Sequence, residues 1–417
     1  MTKQTDVLIM GGGSIGLNCA YSLLKSGRSV TLLDAKEIAQ GSSSGNAGHI
    51  VPSHVIPLAA PGVVSAAIKW ALFDSRHSPF GMKFSLDPSY LLWLVRFAAA
   101  CSEANVKRGI APLNQLGSLS AANFARMIAE EKFDCAYQQA GLLHLFKTEK
   151  AFHETQREAA FMKQHGVPVE IYDAQKIHEV EPAAAGDVLG GIHFSGDAHL
   201  NPAEFLRLLK DKVKEMGAAL LEETRVTGFE TSREKITTVH TTGEDFQASE
   251  IVLAAGAYTP AVARRLRLNV PIQPARGYSL TLSASQLTPS HALILGERRV
   301  AVTPLGDSLR ITGRLEVGAF GLTPSPKWLA RIGSAAREYL RLDENLEVQQ
   351  TWAGLRPTTP DGLPIIGRAP RYQNLILAAG HAMLGLSLGP GTGQLVAEIA
   401  NGQTPAVTLA PFQLERF

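Results

Sequence analysis

The chain has 417 residues, 45% hydrophobic, 19% charged and 7% aromatic, with 40 Lys and Arg against 38 Asp and Glu for a formal net charge of +2. That length suits two domains, or one large domain with an insertion, and the apolar content excludes global disorder. Basic residues cluster only as pairs (Arg298-Arg299, Arg264-Arg265, Lys107-Arg108), which argues against nucleic acid as a partner.

Residues 6–10 are a short apolar run followed at once by glycines, and predict a buried parallel strand. Residues 14–26 place Ile15, Leu17, Ala20, Leu23 and Leu24 at helical spacing, and Gly27 stops the helix. Residues 29–33 predict a second strand closing on Asp34, so that strand, glycine turn, helix, strand and acid make a βαβ unit. The loop 41–48, Gly-Ser-Ser-Ser-Gly-Asn-Ala-Gly, is too small and polar for core. Residues 89–135 read as largely helical, and 141–147 and 191–194 as strands. Asn201 is a candidate N-cap with Pro202 at the first helical position, for a helix to about residue 216. Residues 224–251 alternate like a small β-meander and end in a strand over 251–255 with Gly256 behind it. Residues 271–313 are strand-rich. The tail gives a strand over 374–379, a glycine-rich stretch over 380–393 and a final helix over 394–400.

Gly11-Gly12-Gly13-Ser14-Ile15-Gly16 satisfies the G-x-G-x-x-G pattern. The first glycine permits the tight turn, the second lets the backbone approach a pyrophosphate, and the third lets helix and strand pack closely. The pyrophosphate charge then rests on the positive end of the helix. Asp34 lies 18 residues beyond Gly16, where a carboxylate can accept ribose hydroxyls and disfavours a 2′-phosphate, so FAD or NAD is preferred to NADP.

Other chemistries are weaker. Residues 41–45 match the nucleophile-elbow pattern G-x-S-x-G, but no strand precedes them and more glycines follow, so a phosphate- or ring-facing loop is the better reading. His193 and His199 fit no metal-ligand spacing, and no metal is expected. Cys19, Cys101 and Cys135 lie far apart without C-x-x-C spacing, which speaks against a disulfide scaffold or structural zinc and fits a reducing compartment. No secretory signal is legible at the start of the chain. The longest apolar stretches, 55–73 (broken by Pro57, Pro61, Gly62 and Lys69) and 91–101 (broken by Arg96), cannot span a bilayer as helices.

Further motifs accompany the glycine turn: residues 43–49 (Ser-Ser-Gly-Asn-Ala-Gly-His), 59–62 (Ala-Ala-Pro-Gly), 68–70 (Ile-Lys-Trp) and 277–280 (Gly-Tyr-Ser-Leu). Near the C-terminus come residues 352–367, from Trp352-Ala-Gly-Leu-Arg356-Pro to Pro-Ile-Ile-Gly367, and 380–393. With these the chain resembles, almost end to end, the FAD-dependent D-amino-acid oxidase superfamily, and most closely the bacterial D-amino acid dehydrogenases.

The resemblance implies an α/β, D-amino-acid oxidase-like protein. A Rossmann-like FAD-binding domain (1–88, 196–258 and 349–417) would be interleaved with a second α+β substrate domain (89–195 and 259–348). It assigns non-covalent FAD to Gly11, Gly12, Gly13, Ser14, Ile15, Gly16, Asp34 and Ala35, and to Ser42, Ser43, Asn46, Ala47 and Gly48 of the flavin-facing loop. Val226 would sit on the adenine side, Ala255 and Gly256 would return toward the cofactor, and Gly380, Gly385, Leu386, Ser387 and Gly389 would lie at the flavin's pyrimidine edge. Arg356 would grip a substrate carboxylate with a bidentate guanidinium. Tyr278 would offer a phenol to that carboxylate or over the ring, with core packing as the alternative. His49 would contact the substrate or tune the amine's protonation, with packing behind the site as the alternative; His381 would touch flavin or hold structure.

The implied reaction is oxidative deamination of a D-amino acid to a 2-oxo acid and ammonia, with electrons passed to a quinone or other carrier rather than oxygen. A cyclic imino acid such as D-proline or cis-4-hydroxy-D-proline, and glycine or sarcosine, are the alternative substrates; an FAD-binding subunit without activity of its own is the non-enzymatic alternative. The expected location is cytoplasmic. The apolar segment 55–73, with Lys69 and Arg76 at its end, would be a flap touching the inner face of the cytoplasmic membrane, or an active-site lid, or buried packing.

Overall fold

The computed structural model describes residues 2–65, 80–83 and 85–417; Ile68, Lys69, Trp70 and Arg76 lie outside the described residues. The opening unit is strand Thr2–Met10, helix Ser14–Lys25 and strand Val30–Leu33, with the two strands parallel and Met10 opposite Leu33. Val7, Leu8, Ile9 and Met10 are all buried, because layers cover both faces of the sheet. Val7 and Ile9 enter a helix-side core, and Leu8 and Met10 a second core beneath the meander. Each such side chain stabilises the fold by about 1.5–3 kcal/mol through transfer out of water.

The first sheet runs in the order 226–232, 235–241, 245–253, 2–10, 30–33, 219–221, and the strand Tyr372–Ala379 lies parallel to Asp245–Leu253. The helix Pro202–Glu215 begins as expected, with Asn201 Oδ1 accepting from the Ala203 and Glu204 N–H groups at 3.2 and 3.4 Å. The last helix runs Gly389–Ala400 and so starts five residues before the expected Gln394. The physical reason is its crossing with the first helix: a Cβ at Gly393 would sit 2.4 Å from the Asn18 carbonyl oxygen. Glycines that read as loop are there for close helix contact, and packing overrides their low helix propensity.

The second sheet runs in the order 348–358, 273–283, 308–317, 300–304, 292–295, 142–146, 190–194, 170–173, and Phe80–Met82 pairs with Ser308–Val317. Its two faces differ. Leu280, Leu282, Leu309 and Ile311 pack against Ile332, Ala335 and Ala336 of the helix Pro326–Tyr339. On the other face Ser279, Thr281, Thr303, Arg310 and Thr312 are all buried.

Two elements lie across the division expected from the sequence. The helix Glu103–Glu131, expected with the substrate domain, packs Leu113, Leu116, Phe124 and Met127 into the helix-side core of the first unit. The strand Val348–Thr358, expected with the FAD domain, pairs along its length with Gln273–Ser283 of the second sheet. Among the described residues no helix is long and apolar enough to cross a membrane.

Candidate active site

The glycine turn is a tight cradle at the start of the first helix. Gly11 has φ +119°, and a Cβ there would sit 2.5 Å from the Ala254 carbonyl oxygen, so the turn is pressed against the strand end that leads to Ala255 and Gly256. The Gly12 N–H donates to Asp34 Oδ2 at 2.7 Å and the Lys36 N–H to Oδ1 at 2.8 Å, which fixes the acid at the end of its strand. Each carboxylate oxygen keeps acceptor capacity for ribose hydroxyls. The Thr224 N–H donates to the Asp34 carbonyl at 2.7 Å and brings the Val226 strand to the same end, while Ala35 stands exposed beyond the acid.

At the first helix the Ser43 hydroxyl accepts from the Ser14 N–H at 3.2 Å, and at the last helix the Ser120 hydroxyl accepts from the Gly391 N–H at 3.1 Å. The two starts meet: a Cβ at Gly389 would lie 3.0 Å from Ser14 Oγ and 2.7 Å from Asn18 Nδ2. The Ser14 hydroxyl and Asn18 Oδ1 are buried there with no partner among the described residues. Two helix N-termini that meet at a buried, unsatisfied hydroxyl suit a diphosphate, so this cradle fits FAD.

The loop 41–49 connects this cradle to the polar face of the second sheet. Ser43 Oγ accepts from the Ser14 N–H at 3.2 Å, Ser42 Oγ from the Leu355 N–H at 3.0 Å, and Asn46 Oδ1 from the Gly48 N–H at 2.8 Å across Ala47. Two residues that the sequence reading missed hold this loop from the other side. Arg310 Nη1 donates to the carbonyls of Ser44 and Asn46 at 2.8 and 3.1 Å, and the Trp352 indole lies on Gly45. Burial lowers the Arg310 guanidinium to about 10, and Thr281 Oγ1 accepts from its Nε at 3.2 Å. The available signal was alternation: in Leu309-Arg310-Ile311-Thr312 the polar side chains share one face of the strand. His49 Nε2 lies 2.8 Å from Thr303 Oγ1, so the end of the loop also reaches this face.

Arg356 sits on the same face, opposite Ala275 in the register. Its guanidinium is laid directly over Gly277, where a Cβ would be 1.8 Å from Nη1. Its Nη1 donates to the Arg314 carbonyl at 2.9 Å, aimed there by a bulge in which Arg314 has φ +68°. Among the described residues no carboxylate pairs with Arg356, and burial lowers it to about 10. Gly277→Ala is expected to fold and retain FAD, because the tip of an arginine can swing aside. Substrate affinity should fall with the displaced guanidinium, as measured by anaerobic titration of the flavin absorbance.

Of the two readings of Tyr278, the structure gives core packing and not a place beside Arg356. Tyr278 is fully buried in the core beneath the helix Pro326–Tyr339, on the sheet face opposite Arg356, and its hydroxyl donates to Glu316 Oε2 at 2.7 Å. Strand alternation is the reason: Ala275, Gly277, Ser279 and Thr281 face the loop, and Tyr278, Leu280 and Leu282 face the helix. Of the tail residues, Gly389 meets the cradle at Ser14 and Asn18. Gly380 opens the loop with φ +80°, Gly385 lies against His381, Leu386 is buried, and Ser387 Oγ accepts from the Val51 N–H at 2.8 Å. His381 Nε2 lies 2.9 Å from Thr392 Oγ1, while its Nδ1 is buried without a partner among the described residues.

Burial holds several imidazoles neutral, His49 and His381 at about 3 and His54 and His199 at about 4. In the unfolded chain they would protonate near 6.5. Unfolding therefore takes up protons below that pH, and the stability they contribute is present above 6.5 and lost as pH falls. Asp197 acts in the opposite sense: burial raises it to about 7 although Ser53 hydrogen bonds oppose this, so its share is lost as pH rises from near 4 through 7. The histidines outnumber it. The melting temperature is expected to drop on acidification from pH 7 to 5, and to drop more steeply in Asp197→Asn, as calorimetry would record.

The family described as FAD dependent oxidoreductase matches residues 6–399. The chain is 33% identical over 412 residues to a D-amino acid dehydrogenase of Methylobacterium nodulans, covering 96% of each chain. It is 30% identical over 423 residues to a D-amino acid dehydrogenase of Vibrio atlanticus, covering 99% of this chain and 100% of the other. In structure it is similar to glycine oxidase from Geobacillus kaustophilus, with TM-score 0.82, 25% identity and full coverage of both chains. It shares its fold with L-proline dehydrogenase from P. horikoshii, with TM-score 0.79 and 21% identity over 100% of this chain and 99% of that one. Glycine turn, acid-tipped strand and full-length match agree: the chain belongs to the DAO family of FAD-dependent oxidoreductases.

Proposed function

We propose that this protein oxidatively deaminates a D-amino acid whose carboxylate is held by Arg356, and passes the electrons to a quinone or other carrier rather than to oxygen. The observation that carries the reading is the buried guanidinium of Arg356, which has a backbone carbonyl as partner and no carboxylate among the described residues. A cation left in that state is completed by a substrate anion, and its fork suits a carboxylate bidentately. The full-length likeness to D-amino acid dehydrogenases supports the D-configuration and the non-oxygen acceptor.

FAD, when bound, supplies the two-electron acceptor for a hydride from the substrate Cα. Gly11 to Gly16, Ser14 and the start of the last helix would hold its diphosphate, and Asp34 its ribose. Arg356 fixes the substrate by its carboxylate, and the Arg314 carbonyl fixes Arg356. The neutral His49, hydrogen-bonded with Thr303 on the same sheet face, would tune the protonation of the amine. Arg310 and Trp352 keep the intervening loop in place. The imine product hydrolyses in water to a 2-oxo acid and ammonia.

The test is anaerobic mixing of the yellow protein with a panel of amino acids. Bleaching by D- but not L-isomers, followed by faster reoxidation with a quinone analogue than with oxygen, is the expected result. Bleaching by glycine or sarcosine alone, or by D-proline and cis-4-hydroxy-D-proline alone, moves the substrate assignment. No bleaching by any of them overturns the reading. The proposal includes non-covalent FAD: acid precipitation is expected to leave the flavin in the supernatant.

Peripheral contact with the inner face of the cytoplasmic membrane belongs to the same proposal. It is supported by the exposed side chains of Met82, Leu86, Val95 and Phe320. Recovery of all protein in the soluble fraction at low and high salt would remove it.

A further inference from the structure

A cavity of about 350 Å³ on the meander side of the first unit is lined by Arg233, Arg265, Arg267, Arg371, Phe229 and Tyr372. The four arginines come from separate segments. Arg233 tips the hairpin between Val226–Ser232 and Lys235–Thr241. Arg265 ends the helix Thr259–Arg265 and Arg267 follows it, while Arg371 lies in the turn between Ile365–Ala369 and Tyr372–Ala379.

Several arginines elsewhere meet carboxylates: Arg28 with Asp6 at 2.6 Å, Arg276 with Glu316 at 2.9 Å, Arg368 with Glu250 at 2.9 Å and Arg416 with Asp361 at 2.7 Å. Among the described residues, none of the four cavity arginines has an ion pair. The nearest acids in sequence are committed elsewhere. Glu234 accepts from Gln373 Nε2 at 2.7 Å, and Glu230 accepts from Thr238 Oγ1 at 2.9 Å. Arg265 is further oriented by donating from Nη1 to the Thr227 carbonyl.

Four like charges brought to one concavity repel each other, and among the described residues no carboxylate lies within ion-pair distance of them. One carboxylate would neutralise a single guanidinium. A phosphoryl group carries up to two charges on oxygens that match the guanidinium fork, and a diphosphate carries more. The cavity is of small-ligand size, and its surface is almost wholly polar, which suits a phosphoryl group. We propose that this cavity is a binding site for a phosphate-bearing ligand, separate from the flavin cradle and the Arg356 site.

The experiment uses the FAD-loaded protein, so that the cradle is filled, and inorganic pyrophosphate titrated calorimetrically at ionic strength held constant with potassium chloride. Saturable binding is expected, weakened at least tenfold in Arg267→Gln/Arg371→Gln, with the flavin absorbance of that variant unchanged. Absence of binding heat, or equal affinity in the double variant, overturns the proposal. Sedimentation with phosphatidylglycerol or phosphatidylcholine vesicles then distinguishes the source. Retention on phosphatidylglycerol that the double variant loses assigns a lipid phosphate. Pyrophosphate binding without such retention assigns a soluble phosphate ester or diphosphate.

Discussion

Replacing Arg356 with alanine is expected to raise the substrate concentration needed for half-reduction of the flavin by about thirtyfold to a few thousandfold. That range corresponds to roughly 2–5 kcal/mol, the scale for truncating one partner of a buried hydrogen-bonded charge pair. The substrate carboxylate would enter a desolvated site and find the Arg314 carbonyl, an acceptor, where the guanidinium had been. FAD should remain bound, because the Arg356 side chain hydrogen-bonds to the second sheet and not to the glycine turn. Arg356→Lys keeps the charge but loses the planar fork, and should fall between wild type and alanine. Anaerobic titration of the flavin absorbance measures all three; an unchanged midpoint in the alanine variant would remove Arg356 from its role.

The second large effect belongs to Gly16. A Cβ there would sit 1.7 Å from the Gly11 carbonyl oxygen, backbone against backbone, so no side chain can give way. Gly16→Ala must push the first helix off its strand, and overpacking of this kind costs about 1–3 kcal/mol even without cofactor. The protein is expected to emerge colourless, with a lowered melting temperature. Gly13→Ala is the contrast. Its Cβ would have Ser43 Oγ at 3.6 Å as nearest neighbour and the backbone φ is −80°, so the chain should fold normally and lose flavin affinity alone. Equal melting temperatures of the two apoproteins would contradict the assigned roles.

The parts legible in the sequence were those set by short-range rules. The βαβ unit follows from an apolar run, a glycine turn and periodic leucines, and the helix at Pro202 from its Asn201 cap. Arg356 was reached through flanking residues, yet the reason it matters, a guanidinium laid over Gly277 beside a bulge at Arg314, is a product of register and could not be read from spacing. For Tyr278 the motif leaves substrate contact and core packing both open, and the alternation of small and polar residues over 275–281 is the signal that selects the core. Arg310 went unnoticed because a lone strand arginine reads as surface; only the loop folded onto the second sheet makes it buried. The early start of the last helix was hidden because glycine has two uses, and the chain alone does not say which.

The strand that carries Trp352 and Arg356 is hydrogen-bonded into one sheet, while the chain beyond it builds the other. Neither half can then be exchanged for a homologous one at a single breakpoint, since any cut would strand this segment without its neighbour. A graft of either half from a homologous chain would have to carry this strand together with its partner Gln273–Ser283.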